Sequence, residues 1–355
     1  MAVTTHKLIV GNSNNVSELE NESVNLIITS PPYPMIEMWD DMFAKQDNGI
    51  EIALKSENGI AAFESMHRLL DNVWNECDRL LKRQGFICIN IGDATRTING
   101  KFQMYSNHAR IIQKFSSMGY SVLPDIHWRK QSNAPNKFMG SGMYPAGAYV
   151  TYEHEYILIF RKGGKRLFKG EEKDRRQKSA YFWEERNIWF SDLWEIKGTS
   201  QGIGNSKKTR DRSAAYPFEI PYRLVNMYSV EGDVVLDPFS GIGTTTLACM
   251  ASNRNSIGVE IDEDIAKIAL DNIVEQAPKL NNYVENRISK HIAFINGLSD
   301  EKKEACYINE NHGFPVKTRQ EVDIRIDELE TFKRDNDYIS CEYKPIRMFD
   351  QLTLF

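Results

Sequence analysis

The sequence of 355 residues contains no long apolar run, and its five cysteines are scattered without a Cys-x-x-Cys pair. Without a stretch of about 18 apolar residues we expect no membrane span, and residues 1–10 do not resemble a signal peptide. The cysteine set argues against a disulfide framework and a structural zinc. None of the seven histidines belongs to a metal-spaced pair, so we expect no metal. These absences favour a cytoplasmic protein.

Net charge is also low, at −5, and does not by itself indicate an anionic partner. The charge is unevenly distributed, however, because residues 161–212 contain 15 lysines and arginines against 8 acidic residues. A basic segment in an otherwise acidic chain is typical of a nucleic-acid contact or of a solvated surface loop. Charge alone leaves both interpretations open.

Several short apolar runs are rich in β-branched residues and predict buried strands. These runs are residues 7–10, 24–29, 86–91, 156–160, 234–237 and 256–261. Helical spacing of apolar residues or capping signals predicts helices over residues 62–82, 106–118 and 263–277. Alternating strands and helices predict an open α/β fold with a mostly parallel sheet.

Two stretches do not follow this alternation. Residues 162–212 are charged and aperiodic, and we interpret them as an inserted module. Residues 300–355 carry mixed charge and a strand-like piece at 322–326, and we interpret them as an appendage of unknown role.

A strand, a tight glycine turn and a helix follow one another from residue 234 onward, a pattern that lets the backbone approach a ligand closely. A second predicted strand ends in Glu260, an acid placed to bind the hydroxyls of a ribose. Thr246 stands where a dinucleotide fingerprint has its third glycine, and Asp237 disfavours a pyrophosphate. A ligand with an amino group or positive charge, such as S-adenosylmethionine, fits better. The alternative is a glycine turn that only packs a helix. The candidate cofactor-binding residues here are Asp237, Pro238, Phe239, Ser240, Gly241, Gly243, Thr244, Thr245 and Glu260.

A stiff loop, Ser30-Pro31-Pro32-Tyr33, follows the predicted strand at 24–29. Prolines lack the N–H group that would continue a strand ladder, so the loop lies at the carboxyl edge of the sheet, where α/β folds bind ligands. The hydroxyl of Ser30, the carbonyl of Pro31 and the ring of Tyr33 can together hold a planar ring that bears an exocyclic amine. In isolation, the same residues also suit a rigid turn.

Together the two segments resemble the amino-group DNA methyltransferases, whose catalytic loop is Ser/Asp-Pro-Pro-Tyr/Phe and whose cofactor loop is Asp-Pro-Phe-x-Gly-x-Gly-Thr-Thr. The catalytic loop comes first by about 200 residues, as in the circularly permuted β group. Residues 85–93, 152–162 and 215–225 resemble further motifs of the family. The last of these contains Pro217, which the resemblance places at the methionine end of S-adenosylmethionine.

The resemblance implies a Rossmann-like, S-adenosylmethionine-dependent methyltransferase fold with an inserted target-recognition region. It divides the chain into a catalytic half at 1–162, the insert at 163–212, a cofactor-binding half at 213–278 and a C-terminal appendage at 279–355. It also implies double-stranded DNA as substrate and a cognate restriction endonuclease as a partner. The candidate phosphate-contacting residues are Arg161, Lys165, Arg166, Arg175, Arg176, Lys207, Lys208 and Arg210.

In the family that this chain resembles, a serine in the first position of the catalytic loop is mostly associated with methylation at N4 of cytosine, and an aspartate or asparagine with N6 of adenine, so the resemblance implies N4 of cytosine for Ser30. We expect the base to be flipped into the pocket and its amine to attack the methyl group directly, with Ser30 and Pro31 accepting the hydrogens of the amine. Asp93 is a candidate acceptor behind them, or a turn residue. The alternatives are an N6-adenine methyltransferase, an inactive DNA-binding protein on the same fold and, less favoured, an NAD-dependent oxidoreductase.

Overall fold

The computed structural model describes residues 2–130, 139–140, 143–198 and 216–346. Its strands are β1 (Val3–Val10), β2 (Val24–Thr29), β3 (Leu81–Ile91), β4 (Ala94–Ile98), β5 (Lys101–Tyr105), β6 (Ser121–Arg129), β7 (Met139–Gly140), β8 (Ala148–Tyr149), β9 (His154–Arg161), β10 (Leu193–Glu195), β11 (Val234–Asp237), β12 (Asn255–Glu260), β13 (Tyr307–Ile308), β14 (Pro315–Val316), β15 (Asp327–Asp335) and β16 (Tyr338–Pro345). The six predicted strands correspond to β1, β2, β3, β9, β11 and β12.

The helices lie mostly between the strands, as the alternating pattern predicts. They are α1 (Asp40–Gln46), α2 (Asn48–Lys55), α3 (Gly59–Leu80), α4 (Asn107–Ser117), α5 (Glu171–Lys178), α6 (Trp183–Trp189), α7 (Glu219–Tyr228), α8 (Thr244–Met250), α9 (Glu263–Gln276), α10 (Leu280–Asn296) and α11 (Asp300–Glu304), with single 3-10 turns at Glu37–Trp39, Ala277–Lys279 and Arg319–Glu321. Caps set the helix starts: the Asn58 side chain accepts from the amide of Ala61, and Asp262 accepts from the amides of Asp264 and Ile265.

Ten strands form one sheet in the order β10-β6-β9-β3-β2-β11-β12-β1-β16-β15. Strands β9 and β16 run antiparallel to their neighbours, and the remaining strands share one direction. The expected α/β fold with a mixed, mostly parallel sheet is therefore confirmed. The carboxyl ends of β1, β2, β3, β11 and β12 consequently meet at one edge, which we call the carboxyl edge.

The central strands are apolar on both faces because both faces are covered. In β2, Ile27 packs into the cluster formed with α3 and α4, whereas Leu26 and Ile28 pack into the cluster formed with α7. This double burial explains why β2 shows a continuous apolar run rather than alternation.

The insert and the C-terminal region pack against each other. Phe182 of the insert shares an apolar cluster with Ile288 of α10 and Phe314. Glu185 of α6 forms an ion pair with Arg287 of α10, with N–O distances of 2.6 and 2.8 Å. Strands β15 and β16 extend the main sheet beside β1, so residues 279–346 form part of the central sheet and of the insert's packing surface rather than a separate appendage.

Two local predictions need correction. The strand-like piece at 322–326 is not a strand: it follows a 3-10 turn and precedes β15, and its side chains Ile324 and Ile326 are buried in the cluster with Phe182. Helix α3 ends at Leu80 rather than at residue 82, because Leu81 already begins β3. In both cases burial produced an apolar pattern without the predicted backbone conformation.

Candidate active site at the carboxyl edge

A single cavity of about 440 Å³ at the carboxyl edge receives both sequence motifs. Its volume lies in the range typical of small-molecule sites. The catalytic-loop residues Ser30 to Tyr33 lie at one end, and the glycine turn that follows β11 lies at the other, because β2 and β11 are neighbours in the sheet. The predicted site residues that line the cavity are Ser30, Pro31, Pro32, Tyr33, Pro217, Asp237, Pro238, Phe239, Ser240, Gly241, Thr244 and Glu260.

The carboxylate of Asp237 lies between the two motifs and accepts hydrogen bonds from residues on both sides. It accepts hydrogen bonds from the hydroxyls of Thr29 (2.8 Å), Thr245 (2.5 Å) and Tyr216 (3.4 Å) and from the amide of Phe239 (3.1 Å). Burial raises the pKa of Asp237, and the hydrogen bonds oppose that shift. Thr245 therefore supports Asp237 from behind the cavity.

The glycine turn is shaped around Glu260, the acid at the end of β12. The amide of Gly241 donates to one oxygen of Glu260 (3.0 Å), and the amide of Asp262 donates to the other (3.0 Å). Gly241 and Gly243 both have positive φ angles, of 51° and 82°, which glycine adopts at little cost. Burial raises the pKa of Glu260. A carboxylate held open at this edge fits the two hydroxyls of a ribose.

At the other end of the cavity, Tyr33 belongs to a hydrogen-bonded network. Its hydroxyl donates to Glu155 (2.8 Å), accepts from the Asn90 side-chain amide (2.8 Å) and lies 3.2 Å from the Ser30 hydroxyl. The same Asn90 amide nitrogen also donates to Glu155 (2.7 Å). Burial, reinforced by the charge of Glu155, raises the pKa of Tyr33 well above its usual range, so its phenol stays protonated.

Gly92 makes room for the Tyr33 ring. A Cβ atom at Gly92 would lie 3.0 Å from Cε2 of Tyr33 and 3.3 Å from Cγ of Glu155. A glycine therefore suits the close approach of the chain after β3 to the catalytic loop, because a side chain there would require the Tyr33 ring to shift.

Asp93 is not placed behind Ser30 as expected. Its carboxylate binds His108, with 2.7 and 2.9 Å to Nδ1 and 3.0 Å to the backbone amide. Asp93 is not among the residues that line the cavity. The predicted supporting position is instead taken by Asn90 and Glu155. The sequence signal for Asn90 is a polar residue within an apolar strand that ends at the carboxyl edge, whereas Glu155 stands near the start of β9, a strand that begins at this edge.

The first basic cluster comprises Arg161, Lys165, Arg166, Arg175 and Arg176. It begins at the edge of the sheet that lies opposite to the carboxyl edge. Arg161 ends β9 and pairs with Phe86 in the middle of β3, whereas Tyr156 pairs with Ile91, the last residue of β3, beside the cavity. Five residues of strand place Arg161 about 17 Å from Tyr156, on the side away from the cavity. Arg166 is also occupied by ion pairs with Asp233 (2.7 Å) and Glu172 (3.2 Å). This placement argues against phosphate contacts by Arg161 and Arg166, and Arg175 lies beside Gly232 at the same edge. The contacts of Lys165 and Arg176 stay predictions.

The second basic cluster, Lys207, Lys208 and Arg210, lies outside the described residues. Gly198 and Tyr216, the described residues on either side of that segment, both line the cavity.

Further cavity residues escaped the sequence prediction. Asn12 and Ser13 follow β1 at the carboxyl edge, and the Ser13 hydroxyl donates to the carbonyl of Pro238. Trp128 and Lys130 reach the cavity from the end of β6. The basic-aromatic stretch at 127–135 was the available signal for the last two.

Comparison with known proteins identifies the family of this chain. The sequence profile of the N6/N4 methyltransferases, described as DNA methylases, matches residues 24–271. The chain therefore belongs to this family of DNA methylases. Among the described residues, no helix has the length and apolar character needed to cross a membrane.

Two similar proteins are the Type II methyltransferases M.MthZI of Methanothermobacter thermautotrophicus and M.MjaI of Methanocaldococcus jannaschii. M.MthZI is 52% identical over 334 residues, which cover 93% of this chain and 92% of the relative. M.MjaI is 48% identical over 276 residues, which cover 75% and 90%. A similar solved structure is a candidate DNA modification methylase of Thermus thermophilus in complex with S-adenosyl-L-methionine. It has a TM-score of 0.59 and 30% identity, over 77% of this chain and 96% of that chain.

Proposed function

We propose that this protein transfers a methyl group from S-adenosyl-L-methionine to N4 of cytosine in double-stranded DNA. The observation that carries the proposal is the shared cavity, which holds hydrogen-bond acceptors and an aromatic ring at one end and the carboxylate of Glu260 at the other. S-adenosyl-L-methionine supplies an electrophilic methyl group. In our assignment, Glu260 binds the ribose hydroxyls, and Asp237, Phe239 and Gly241 line the remainder of the cofactor end.

The catalytic loop activates the exocyclic amine of the target base. The lone pair of this amine is delocalised into the ring, so the amine is a weak nucleophile. Ser30 and the carbonyl of Pro31 accept its hydrogens, which concentrates the lone pair on nitrogen and stabilises the developing positive charge. The stiff Pro31-Pro32 backbone keeps these acceptors in place. Tyr33, held by Glu155 and Asn90, stacks on the base.

The base must leave the duplex to reach this cavity, because its amine is otherwise paired inside the helix. Flipping costs a few kcal/mol, part of which stacking on Tyr33 offsets. An enhanced fluorescence of 2-aminopurine placed at the target position would support flipping. Unchanged fluorescence in a tight complex would contradict it.

Nucleoside analysis of methylated DNA tests the product directly. N4-methylcytosine is expected, and N6-methyladenine is the product of the second candidate function, an adenine methyltransferase with the same site. Ser30→Ala and Tyr33→Ala should retain cofactor binding and lose methyl transfer. Ser116→Ala, at an exposed serine of α4, is the matched control. Full activity of both site variants would refute the assignment.

The biological role we propose is protection of DNA from a cognate restriction endonuclease, in line with the similarity to Type II methyltransferases. DNA methylated by this protein should resist cleavage by an endonuclease that acts on the same site, whereas unmethylated DNA should be cut.

A further inference from the structure

Lys130 is the one cationic side chain among the described residues that line the cavity, where the other charged groups are Glu155, Asp237 and Glu260. It lies at the end of the cavity where the base is proposed to bind, far from the glycine turn in sequence and next to Glu155 in space. Neither the proposed methyl transfer nor cofactor binding uses this cation.

Two contacts hold the Lys130 ammonium group at this position. It forms an ion pair with one carboxylate oxygen of Glu155, and it lies 4.7 Å from the centre of the Trp128 ring. The cation–aromatic contact and the ion pair are both favourable at a partly exposed site. Its side chain remains 43% exposed, so the ammonium group keeps donors available for a ligand.

Glu155 sets the distance between Lys130 and the catalytic loop. One of its oxygens binds Lys130, and the other accepts from Tyr33 and Asn90. One carboxylate group, with a contact on each side of it, therefore separates the ammonium group from the Tyr33 hydroxyl, and the Ser30 hydroxyl lies 3.2 Å from that of Tyr33. A base whose amine is held at Ser30 directs the far end of the same edge toward Lys130.

The neighbouring side-chain amide of Asn90 contains a polar atom that has no hydrogen-bond partner. Asn90 is 3% exposed and lines the cavity, its nitrogen serves Tyr33 and Glu155, and its oxygen Oδ1 is buried without a hydrogen bond. A buried amide oxygen of this kind normally has a donor. The exocyclic amine of a bound base is such a donor, and one of its hydrogens can be shared between Ser30 and Oδ1 of Asn90. Lys130, paired with Glu155 through one contact, keeps ammonium hydrogens for an acceptor at the other end of the base.

The Watson–Crick edge of cytosine matches this order of groups. It presents an amine at one end, a ring nitrogen in the middle and the carbonyl oxygen O2 at the other end. Adenine presents the same amine and ring nitrogen, but a C–H group replaces the carbonyl. We propose that Lys130 donates a hydrogen bond to O2 of the flipped cytosine and thereby selects cytosine over adenine. This inference rests on the proposed function and assigns its base specificity to one residue.

The experiment compares two substrates and four proteins. One duplex carries cytosine at the target position, and the other carries a 2-aminopyridine C-nucleoside, which keeps the amine and ring nitrogen but has C–H in place of the O2 carbonyl. Wild type, Lys130→Met, Lys130→Arg and the matched control Arg129→Met are assayed for single-turnover methylation. The affinity for each duplex is measured as well, with S-adenosylhomocysteine present, so that a slow reaction on the analogue does not limit the test.

Lys130→Met should lower kcat/KM and affinity for the cytosine duplex by at least about tenfold, as expected for a lost hydrogen bond from a charged donor. On the analogue duplex it should cost less than about twofold, since no carbonyl remains to be bound. Arg129→Met, which removes a 56%-exposed cation next in sequence, should affect both duplexes equally and slightly. Lys130→Arg should retain most of the preference for cytosine.

Two results would overturn the assignment. An equal loss on both duplexes would mean that Lys130 only supports Glu155 or contacts a phosphate, and no loss on either would mean that it has no role in binding the base. Both leave N4-methylcytosine as product and so leave the proposed function intact. Formation of N6-methyladenine would instead refute the proposed function together with this inference.

Discussion

The hydroxyl of Thr29 donates a 2.8 Å hydrogen bond to the buried carboxylate of Asp237, which lies 208 residues later in the chain. Thr29 is the last residue of β2 and immediately precedes the catalytic loop, and Asp237 is the last residue of β11 and begins the glycine turn. This bond directly connects the two motifs whose spatial proximity the sequence predicts. A substitution at Thr29 should therefore alter the glycine turn, and a substitution at Asp237 should alter the catalytic loop.

Replacing Thr29 by valine keeps the shape of the side chain and removes the donor. The carboxylate of Asp237 then loses one of its hydrogen bonds while still buried, so we expect the free energy of unfolding to fall by about 1–3 kcal/mol. Affinity for S-adenosylmethionine should fall as well, because Asp237 lines the cavity. Urea unfolding and calorimetric titration measure these two changes. Thr331→Val, at an exposed threonine, is the matched control, and equal effects of the two variants would contradict this role.

Gly92→Ala should impair catalysis without unfolding the protein. The added methyl group would press on the Tyr33 ring at 3.0 Å and tilt it away from the base, so we expect at least about a tenfold loss of kcat. Gly164→Ala serves as the control, because a Cβ there meets no atom within 4 Å. Methylation kinetics and a thermal unfolding curve distinguish the two outcomes. Wild-type kinetics in Gly92→Ala would show that the close contact is unimportant.

Two buried histidines make the fold sensitive to acid. Burial lowers the pKa of His6 to about 3 and that of His67 to about 4. Both are neutral in the folded protein but bind protons in the unfolded chain below about pH 6.5. The unfolded state therefore takes up more protons as the pH falls, and the free energy of unfolding should decrease from pH 6.5 toward pH 4, by up to about 1.4 kcal/mol per pH unit for each histidine.

Unfolding curves recorded at several pH values check this dependence. His67→Gln should reduce the slope between pH 6.5 and 4, since one titrating group is gone. His127→Gln, at an exposed histidine, is the matched control. The explanation fails if the wild type is equally stable at pH 6.5 and pH 4.5.

The ion pair between Glu185 and Arg287 should hold the insert against the C-terminal region. Both side chains are nearly buried, at 12% and 11% exposure, so Glu185→Gln leaves a buried charge without its partner. We expect a loss of about 3 kcal/mol in the free energy of unfolding, measured in urea. The exposed pair of Lys267 and Glu263 provides the control, and Glu263→Gln should cost less than about 1 kcal/mol. Similar costs for both variants would argue against this packing role.

The two basic clusters should differ in their effect on DNA binding. Arg175 lies beside Gly232, which precedes β11, at the edge opposite to the cavity. Replacing it together with Lys165 and Arg176 by glutamine should therefore leave the salt dependence of DNA affinity unchanged. Replacing Lys207, Lys208 and Arg210 by glutamine should weaken this salt dependence. The slope of log affinity against log salt concentration should fall by about one unit for each lost phosphate contact. Fluorescence anisotropy at several salt concentrations measures both slopes. The reverse result would show that DNA reaches the opposite edge.

Local sequence determined much of the fold and one half of the site. The continuous apolar runs of β2, β3, β11 and β12 reflect burial on both faces, which depends on each strand's own residues. Because the central strands run in one direction, the loops after β2 and β11 had to meet at the carboxyl edge. The catalytic loop, the glycine turn and Glu260 could therefore be predicted together, without knowledge of any other contact.

Tertiary structure alone decided which residues support Tyr33 and where the basic segment lies. Strand β9 runs antiparallel to β3, so Glu155 near its start reaches the cavity while Arg161 at its end lies at the far edge. An apolar run has the same pattern in either direction, and strand direction is set by pairing with neighbours distant in the chain. For the same reason the sequence did not reveal that Glu155 binds Tyr33, which lies 122 residues earlier in the chain. Asp93, which the sequence predicts behind Ser30, binds His108 instead.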